Sequence, residues 1–127
     1  MWQNIEKMRY SDKIPYVFVL EYLTEIAIVI KPMFGCYAIY VDAKFCLFLL
    51  SRNKPLLPNG RSEQNGIYAV TTVQHIDTLK KDFPLAEFDL LKSDKVWMFL
   101  AEGSSDFEKY AIKACELISA FDSRIGR

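Results

Sequence analysis

The chain has 127 residues, of which 51% are hydrophobic and 25% charged, a composition that predicts one folded domain and excludes a disordered chain. Sixteen basic residues balance sixteen acidic ones, so the formal net charge is zero. This balance does not favour nucleic acid or an anionic membrane as a direct partner, because both usually attract a basic excess. The longest apolar run, Phe45 to Leu50, is too short to span a bilayer.

Two features favour a cytoplasmic location. Glu6 and Lys7 stand where a signal peptide has its apolar run. The three cysteines, Cys36, Cys46 and Cys115, are an odd number without paired spacing. That pattern favours buried, reduced thiols over a disulfide framework.

The predicted elements alternate between helices and groups of strands. In chain order we expect a helix from Pro15, strands at 27–30, 35–41, 44–51 and 67–70, a helix ended by Pro84, strands at 88–91 and 96–101, and a last helix near Phe107. Thr71–Gln74 and Ser105–Glu108 match capping boxes before the second and third helices. A long loop, 52–66, is rich in Pro, Gly and Asn.

Strands joined by short turns are antiparallel, and this fixes the expected architecture. We predict a two-layer α+β fold in which helices pack on one face of an antiparallel sheet. The order is helix–strands–helix–strands–helix, with three or four strands in the first group and two in the second. Residues 1–127 then form a single domain.

The stretch "KPMFGCYAIYVDAKFCLFL" resembles the signature of the TfoX N-terminal domain family. Members carry a Met-Phe-Gly-Gly-Tyr-Gly-Ile-Tyr run, then an aspartate–glycine turn and an apolar strand. The matching residues here are Met33, Phe34, Gly35, Tyr37, Ile39, Tyr40 and Asp42. The resemblance, which extends from about Lys13 onward, implies a secretion-chaperone-like α+β domain with a regulatory role and no catalytic residues. Where the family has glycines, this chain has Cys36, Ala38 and Ala43, and alanine disfavours the positive φ of a two-residue turn.

The hairpin around Asp42–Ala43 has apolar side chains on both faces. If Val41 pairs with Lys44, Ile39 pairs with Cys46 and Tyr37 with Phe48. Alternation then separates two sets, and we assign to the helix-packed face the one whose small residues would let a helix approach closely: Cys36, Ala38, Tyr40, Phe45, Leu47 and Leu49. It leaves a second apolar set on the other face: Tyr37, Ile39, Val41, Cys46, Phe48 and Leu50. The last strand repeats the pattern, since Val96, Met98 and Leu100 alternate with Trp97, Phe99 and Ala101.

Three explanations account for a second apolar face. The 52–66 loop and the amino-terminal turn cover it, a second copy covers it in a homodimer, or a different protein docks there. The expected interaction surface comprises Tyr37, Ile39, Val41, Phe48 and Leu50, together with Leu56 and Leu57 of the loop.

The residues favour no catalytic, metal or cofactor site. His75 is the only histidine, and one histidine with three scattered cysteines supplies neither a zinc set nor a recognisable triad. We therefore expect a non-enzymatic protein-interaction or regulatory domain, without cofactor and with a protein partner, most simply a second copy. The alternative is a small-molecule-binding or enzymatic domain with a cleft between the sheet and the 52–66 loop.

Overall fold

The computed structural model describes residues 14–33, 36–52 and 65–127, which form an α+β fold around a six-stranded sheet. The strands are β1 (Val29–Met33), β2 (Cys36–Val41), β3 (Lys44–Leu50), β4 (Gly66–Thr72), β5 (Glu87–Leu90) and β6 (Lys95–Ala101). Their spatial order is β1-β2-β3-β4-β6-β5, and all neighbours are antiparallel. The expected α+β class with an antiparallel sheet is confirmed.

The helices of the described residues are a 3₁₀ helix (Val17–Leu23), α1 (Ile76–Asp82), which follows a short 3₁₀ turn (Val73–His75), and α2 (Phe107–Ser119). All three helices bury side chains in one core against a single face of the sheet. This core includes Leu20, Leu23, Leu79, Phe83, Ala111, Ala114 and Ile118 from the helical layer. It meets Ile39, Leu47, Leu49, Ile67, Ala69, Met98 and Leu100 from the sheet.

Neither predicted capping box forms. β4 continues through Thr72, so Thr71 lies in a strand, where its hydroxyl is buried without a hydrogen-bond partner. Asp106 is the residue before α2, and its side chain makes no capping hydrogen bond. The first box was expected too early because sheet pairing extends β4 through Thr72, and the second was expected one residue before Asp106.

The β2–β3 hairpin turns at the expected two residues. Asp42 and Ala43 have φ angles of 50° and 63°, the positive values that a type I′ turn requires at both positions. Val41 pairs with Lys44, as expected. Alanine therefore occupies a backbone conformation that glycine adopts more easily.

Beyond the turn, the expected register is wrong because β3 contains a β-bulge. Tyr40 pairs with Phe45, but Ile39 then pairs with Leu47 instead of Cys46. Cys46 is the extra residue, and both it and Leu47 belong to the helix-packed core. The bulge lets Phe45 lie on one face of the sheet while Leu47 and Leu49 remain on the other.

Residues near the carboxyl end are inserted between β3 and β4, opposite the bulge. The Phe45 amide donates to the Arg127 carbonyl at 3.0 Å, and the Arg127 amide donates back at 3.1 Å. The Gly126 amide donates to the Val70 carbonyl at 2.7 Å. The beginning of β3 is thereby separated from β4, and these contacts satisfy backbone groups that β4 would otherwise pair.

Candidate functional site: an aromatic sheet face

The face of the sheet opposite the helices carries an aromatic cluster. Directly paired residues lie on the same face of an antiparallel sheet, so the register identifies its members. We call this surface the aromatic face and define it by Tyr40, Phe45, Phe48, Tyr68, Trp97 and Phe99. Phe99 is only 4% exposed, whereas the other five are half-buried.

The rings of the aromatic face contact one another across four strands. The Tyr68 ring stacks on Phe99 with centroids 4.6 Å apart, and Tyr40 stacks on Phe45 at 5.2 Å. The Trp97 indole reaches across β4 to within 5.6 Å of the Phe45 ring. Val70, which is paired with Trp97, is fully buried for this reason. Aromatic pairs at these distances stabilise each other by about 0.5–1.5 kcal/mol beyond their burial.

The structure corrects the expected interaction surface. Ile39 and Val41 belong to the helix-packed core, and the half-buried Tyr37 packs against it, so their assignment to the open face was wrong. The physical reason is the bulge, which reverses the pairing of faces between β2 and β3.

Of the remaining expected residues, Phe48 and Leu50 do lie on the side of the aromatic face. Phe48 is half-buried, but Leu50 is 1% exposed and offers almost no surface to a partner. Leu56 and Leu57 lie outside the described residues.

Charged side chains flank the aromatic face. The Lys31 Nζ lies 5.0 Å from the centroid of the Tyr40 ring. The Lys95 Nζ lies 5.3 Å from the Phe45 ring and 5.4 Å from the Trp97 ring. Cations at such distances are attracted by the electron-rich ring faces. At the opposite edge Glu87 and Asp89 are paired with Phe99 and Trp97, so both exposed carboxylates share this face.

One row of directly paired residues crosses the whole sheet. We call it the Lys31–Glu87 row, and its members are Lys31, Ala38, Phe48, Tyr68, Phe99 and Glu87. The row begins with a cation on edge strand β1, passes through three aromatic residues and ends with an anion on edge strand β5. Charge is thus distributed asymmetrically across the aromatic face, with a cation at the β1 edge and an anion at the β5 edge. The positive and negative charges of the described residues on this face nearly balance.

The three cysteines, all within the described part of the chain, form no disulfide and are buried. Burial raises the pKa of Cys115 to about 12 and also raises the pKa of Cys46. Thiols with raised pKa values are poor nucleophiles at neutral pH, because the thiolate is the reactive form. The Arg52 guanidinium lies 3.2 Å from Cys36 Sγ, at the edge of the aromatic face.

Within 14–33, 36–52 and 65–127, no group of three or more His, Cys, Asp or Glu residues is close enough to hold a metal ion. Among the pockets lined by described residues, one beside Cys46 and Ile125 measures ≈ 50 Å³ and one beside Phe107 and Tyr110 measures ≈ 30 Å³, and both are partly open to the surface. Metabolite sites usually occupy about 300–1,000 Å³. A shallow region of ≈ 640 Å³ runs along the exposed side of α2, lined by Ile112 and four charged residues. Among the described helices, none combines the length and apolarity needed to cross a bilayer.

Tyr40 and Phe45 were expected on the helix-packed face, which is wrong, and Tyr68, Trp97 and Phe99 were not included in the expected interaction surface. The sequence nonetheless contains a signal for this face. In β4 and β6, aliphatic side chains occupy alternate positions along the strand, and aromatic side chains occupy positions between them. Tyr68 stands between Ile67 and Ala69, and Trp97 and Phe99 flank Met98. The same separation in β3 would place Phe45 and Phe48 on one face. Residues on one face of a regular strand are an even number of positions apart, so these two, three positions apart, require one extra residue between them.

Comparison with known proteins gives no relative: no family model, no curated protein and no solved structure matches this chain. Functional inference therefore depends on the aromatic face and on the hairpin motif.

Proposed function

We propose that this protein is a non-enzymatic interaction domain, with a regulatory role in the cytoplasm, and that it forms a homodimer through the aromatic face. One observation carries the proposal: the described helices all pack on one face of the sheet, whereas five half-buried aromatic rings lie on the opposite face. Aromatic side chains that keep part of their surface accessible are typical of protein-interaction sites, in which tyrosine, tryptophan and phenylalanine are enriched.

The hairpin motif supports the same proposal. Met33, Tyr37 and Asp42 belong to the run that resembles the TfoX N-terminal domain family, whose motif includes no catalytic residues. On this basis we extend the proposal to the fold, as a single secretion-chaperone-like domain over 1–127. The raised pKa values of Cys46 and Cys115 are in keeping with a protein that performs no thiol chemistry.

The size of the face limits a second copy to a weakly held dimer. A six-stranded sheet about 29 Å wide and about 17 Å long has a face of roughly 500 Å². Because the rings are already half-buried in the single chain, two such faces bury less than roughly 1,000 Å², the lower limit for a specific interface, and we therefore expect micromolar affinity. Closed two-fold dimers are the commonest assemblies of soluble proteins, and they use one patch twice.

The charges argue against single-stranded nucleic acid, the other class of partner that stacks on aromatic rings. Such sites combine rings with a basic groove that follows the phosphates. Here Lys31 and Lys95 are opposed by Glu87 and Asp89 on the same face, and a phosphate backbone crossing β5 would meet both carboxylates.

Sedimentation equilibrium between about 10 and about 500 µM tests the proposal, a range chosen for an interface of micromolar affinity. We expect the mass to rise with concentration from 14.7 kDa towards twice that value. Phe48→Glu and Trp97→Glu should remain at the mass of one chain while keeping the circular dichroism of the parent. Tyr22→Glu is the matched control, because Tyr22 is 41% exposed in the helical layer and should leave association unchanged.

A parent protein that stays at 14.7 kDa throughout this range overturns the homodimer, whatever the variants do. Titration with a single-stranded oligonucleotide, monitored by tryptophan fluorescence, tests whether the aromatic face binds nucleic acid instead. Binding whose affinity falls steeply with salt would replace the proposal with a nucleic-acid function.

A further inference from the structure

The Lys31–Glu87 row has opposite charges at its two ends, and this asymmetry bears on how two copies would face each other. Two orientations bring one aromatic face against another in a closed dimer. A two-fold axis parallel to the strands sets β1 of one copy against β5 of its partner. An axis perpendicular to the strands sets β1 against β1 and β5 against β5.

Charge complementarity distinguishes these orientations. In the perpendicular arrangement with the axis along the Lys31–Glu87 row, Lys31 meets the partner's Lys31 and Glu87 meets the partner's Glu87, so like charges oppose each other at both edges. In the parallel arrangement Lys31 meets the partner's Glu87, and symmetry repeats the pair at the other edge. Like charges brought together disfavour an association, whereas opposite charges select it.

Building on the proposed homodimer, we propose that its two-fold axis runs along the strands between β3 and β4, so that Lys31 pairs with the partner's Glu87 at both edges. Faces of two sheets pack about 10 Å apart with their strands aligned to within about 30°. Extended lysine and glutamate side chains together span that gap. At the centre, Phe48 then faces the partner's Tyr68, and both rings are half-buried in the single chain.

A zero-length carbodiimide coupling on the unaltered protein tests this geometry directly. Within one chain Lys31 and Glu87 are separated by five strand spacings of about 4.8 Å, roughly 24 Å, so they cannot couple intramolecularly. We expect a covalent dimer from which mass spectrometry recovers a peptide joining Lys31 to Glu87. A dimer cross-linked only between other pairs overturns the proposed orientation.

Charge reversal provides an independent measurement. Lys31→Glu and Glu87→Lys each set two pairs of like charges against each other, and each should raise the dimer dissociation constant roughly tenfold at low salt. The double variant restores both pairs with reversed polarity, and its dissociation constant should return to the parent value. Lys109→Glu and Glu108→Lys, exposed on α2, make the same changes in net charge away from the face and should have no effect.

The outcomes separate this inference from the proposed function. In the perpendicular arrangement like charges already face each other, so reversing one residue replaces one like-charge pair with another. Single variants that dimerise as well as the parent would therefore overturn the proposed orientation while leaving the homodimer intact. A parent protein that never dimerises overturns both. Weakened single variants without recovery in the double variant also contradict the pairing, since the effect would then come from each residue separately.

Discussion

At Ala43, in the β2–β3 turn, backbone conformation and residue type disagree. Its φ of 63° lies in the left-handed region, which costs an L-residue with a β-carbon about 1–2 kcal/mol. Asp42, at φ 50°, tolerates the same region better because short polar side chains hydrogen-bond locally. The two-residue turn persists because the strands on either side bury enough apolar surface to outweigh this strain.

We expect Ala43→Gly to stabilise the fold by about 0.5–1 kcal/mol, since relief of left-handed strain exceeds the entropy that glycine adds to the unfolded chain. Urea unfolding measures the change. Ala38→Gly is the matched control, because Ala38 is buried in the middle of β2, and there the same substitution should destabilise. Equal destabilisation by both substitutions would contradict the argument.

Asp122 forms the best-defined ion pair of the described residues. Its carboxylate accepts from Arg124 Nε at 3.0 Å and from Nη2 at 2.9 Å, and Arg124 Nη1 also reaches Asp82 at 3.0 Å. The hydrogen bonds from Arg124 hold the pKa of Asp122 below its ordinary value. The pair orients the segment that carries Ile125 into the core and Gly126 to β4.

A lowered pKa means that the folded state favours the deprotonated carboxylate. The stabilisation is fully present above the unfolded-state pKa of about 3.9 and is lost as pH falls through the lower, folded-state pKa. Asp122→Asn should therefore lower the free energy of unfolding by about 1 kcal/mol at pH 7, and the difference should shrink below about pH 3.9. Urea titrations at pH 7 and pH 3 measure this, with Glu116→Gln on the exposed side of α2 as the control. A difference that is the same at both pH values would contradict the pKa argument.

At the scale of elements, the junction of β4 and β6 depends on a glycine. A β-carbon on Gly66 would overlap the Leu100 carbonyl oxygen and approach the Phe99 ring within 2.8 Å. The absence of a side chain at Gly66 lets β4 pair closely with the end of β6, opposite Ala101. This close approach helps to position Phe99 and Tyr68 on the aromatic face.

Gly66→Ala should destabilise the protein by about 1–3 kcal/mol, because a backbone carbonyl yields less readily than a flexible side chain. Gly103→Ala is the matched control, since a β-carbon there meets nothing within 4 Å, and its effect should stay within about 0.5 kcal/mol. Chemical denaturation measures both variants. A Gly66→Ala protein as stable as the Gly103→Ala protein would contradict the proposed overlap.

The β-bulge is the element that strand alternation by itself does not predict. Strand alternation assumes one residue opposite one residue, and under that assumption Ile39 faces Cys46. In the tertiary structure Leu47 lies opposite Ile39 instead. Leu47 packs in the core while Phe45 packs on the aromatic face, and both placements are possible only with an extra residue between them. Reciprocal backbone hydrogen bonds between Phe45 and Arg127 occupy the freed backbone groups of Phe45, and Arg127 lies 82 positions further along the chain.

At the scale of the whole molecule, a homodimer links stability to concentration. Association stabilises the folded state by mass action, so the thermal unfolding midpoint should rise with protein concentration. We expect this rise for the parent protein and for Tyr22→Glu, and its loss in Phe48→Glu. Differential scanning calorimetry over a hundredfold concentration range measures it. A midpoint independent of concentration in the parent would contradict association through the aromatic face.

The sequence by itself determined the α+β class with an antiparallel sheet, the two-residue turn at Asp42–Ala43 and the presence of apolar side chains on both faces of the sheet. These features depend on local spacing and propensity, which short stretches of chain encode. Only the tertiary structure decided which face the helices cover, because one extra residue, Cys46, reverses the relation between two adjacent strands. The Lys31–Glu87 row likewise joins six strands from distant parts of the chain, and no local pattern contains it.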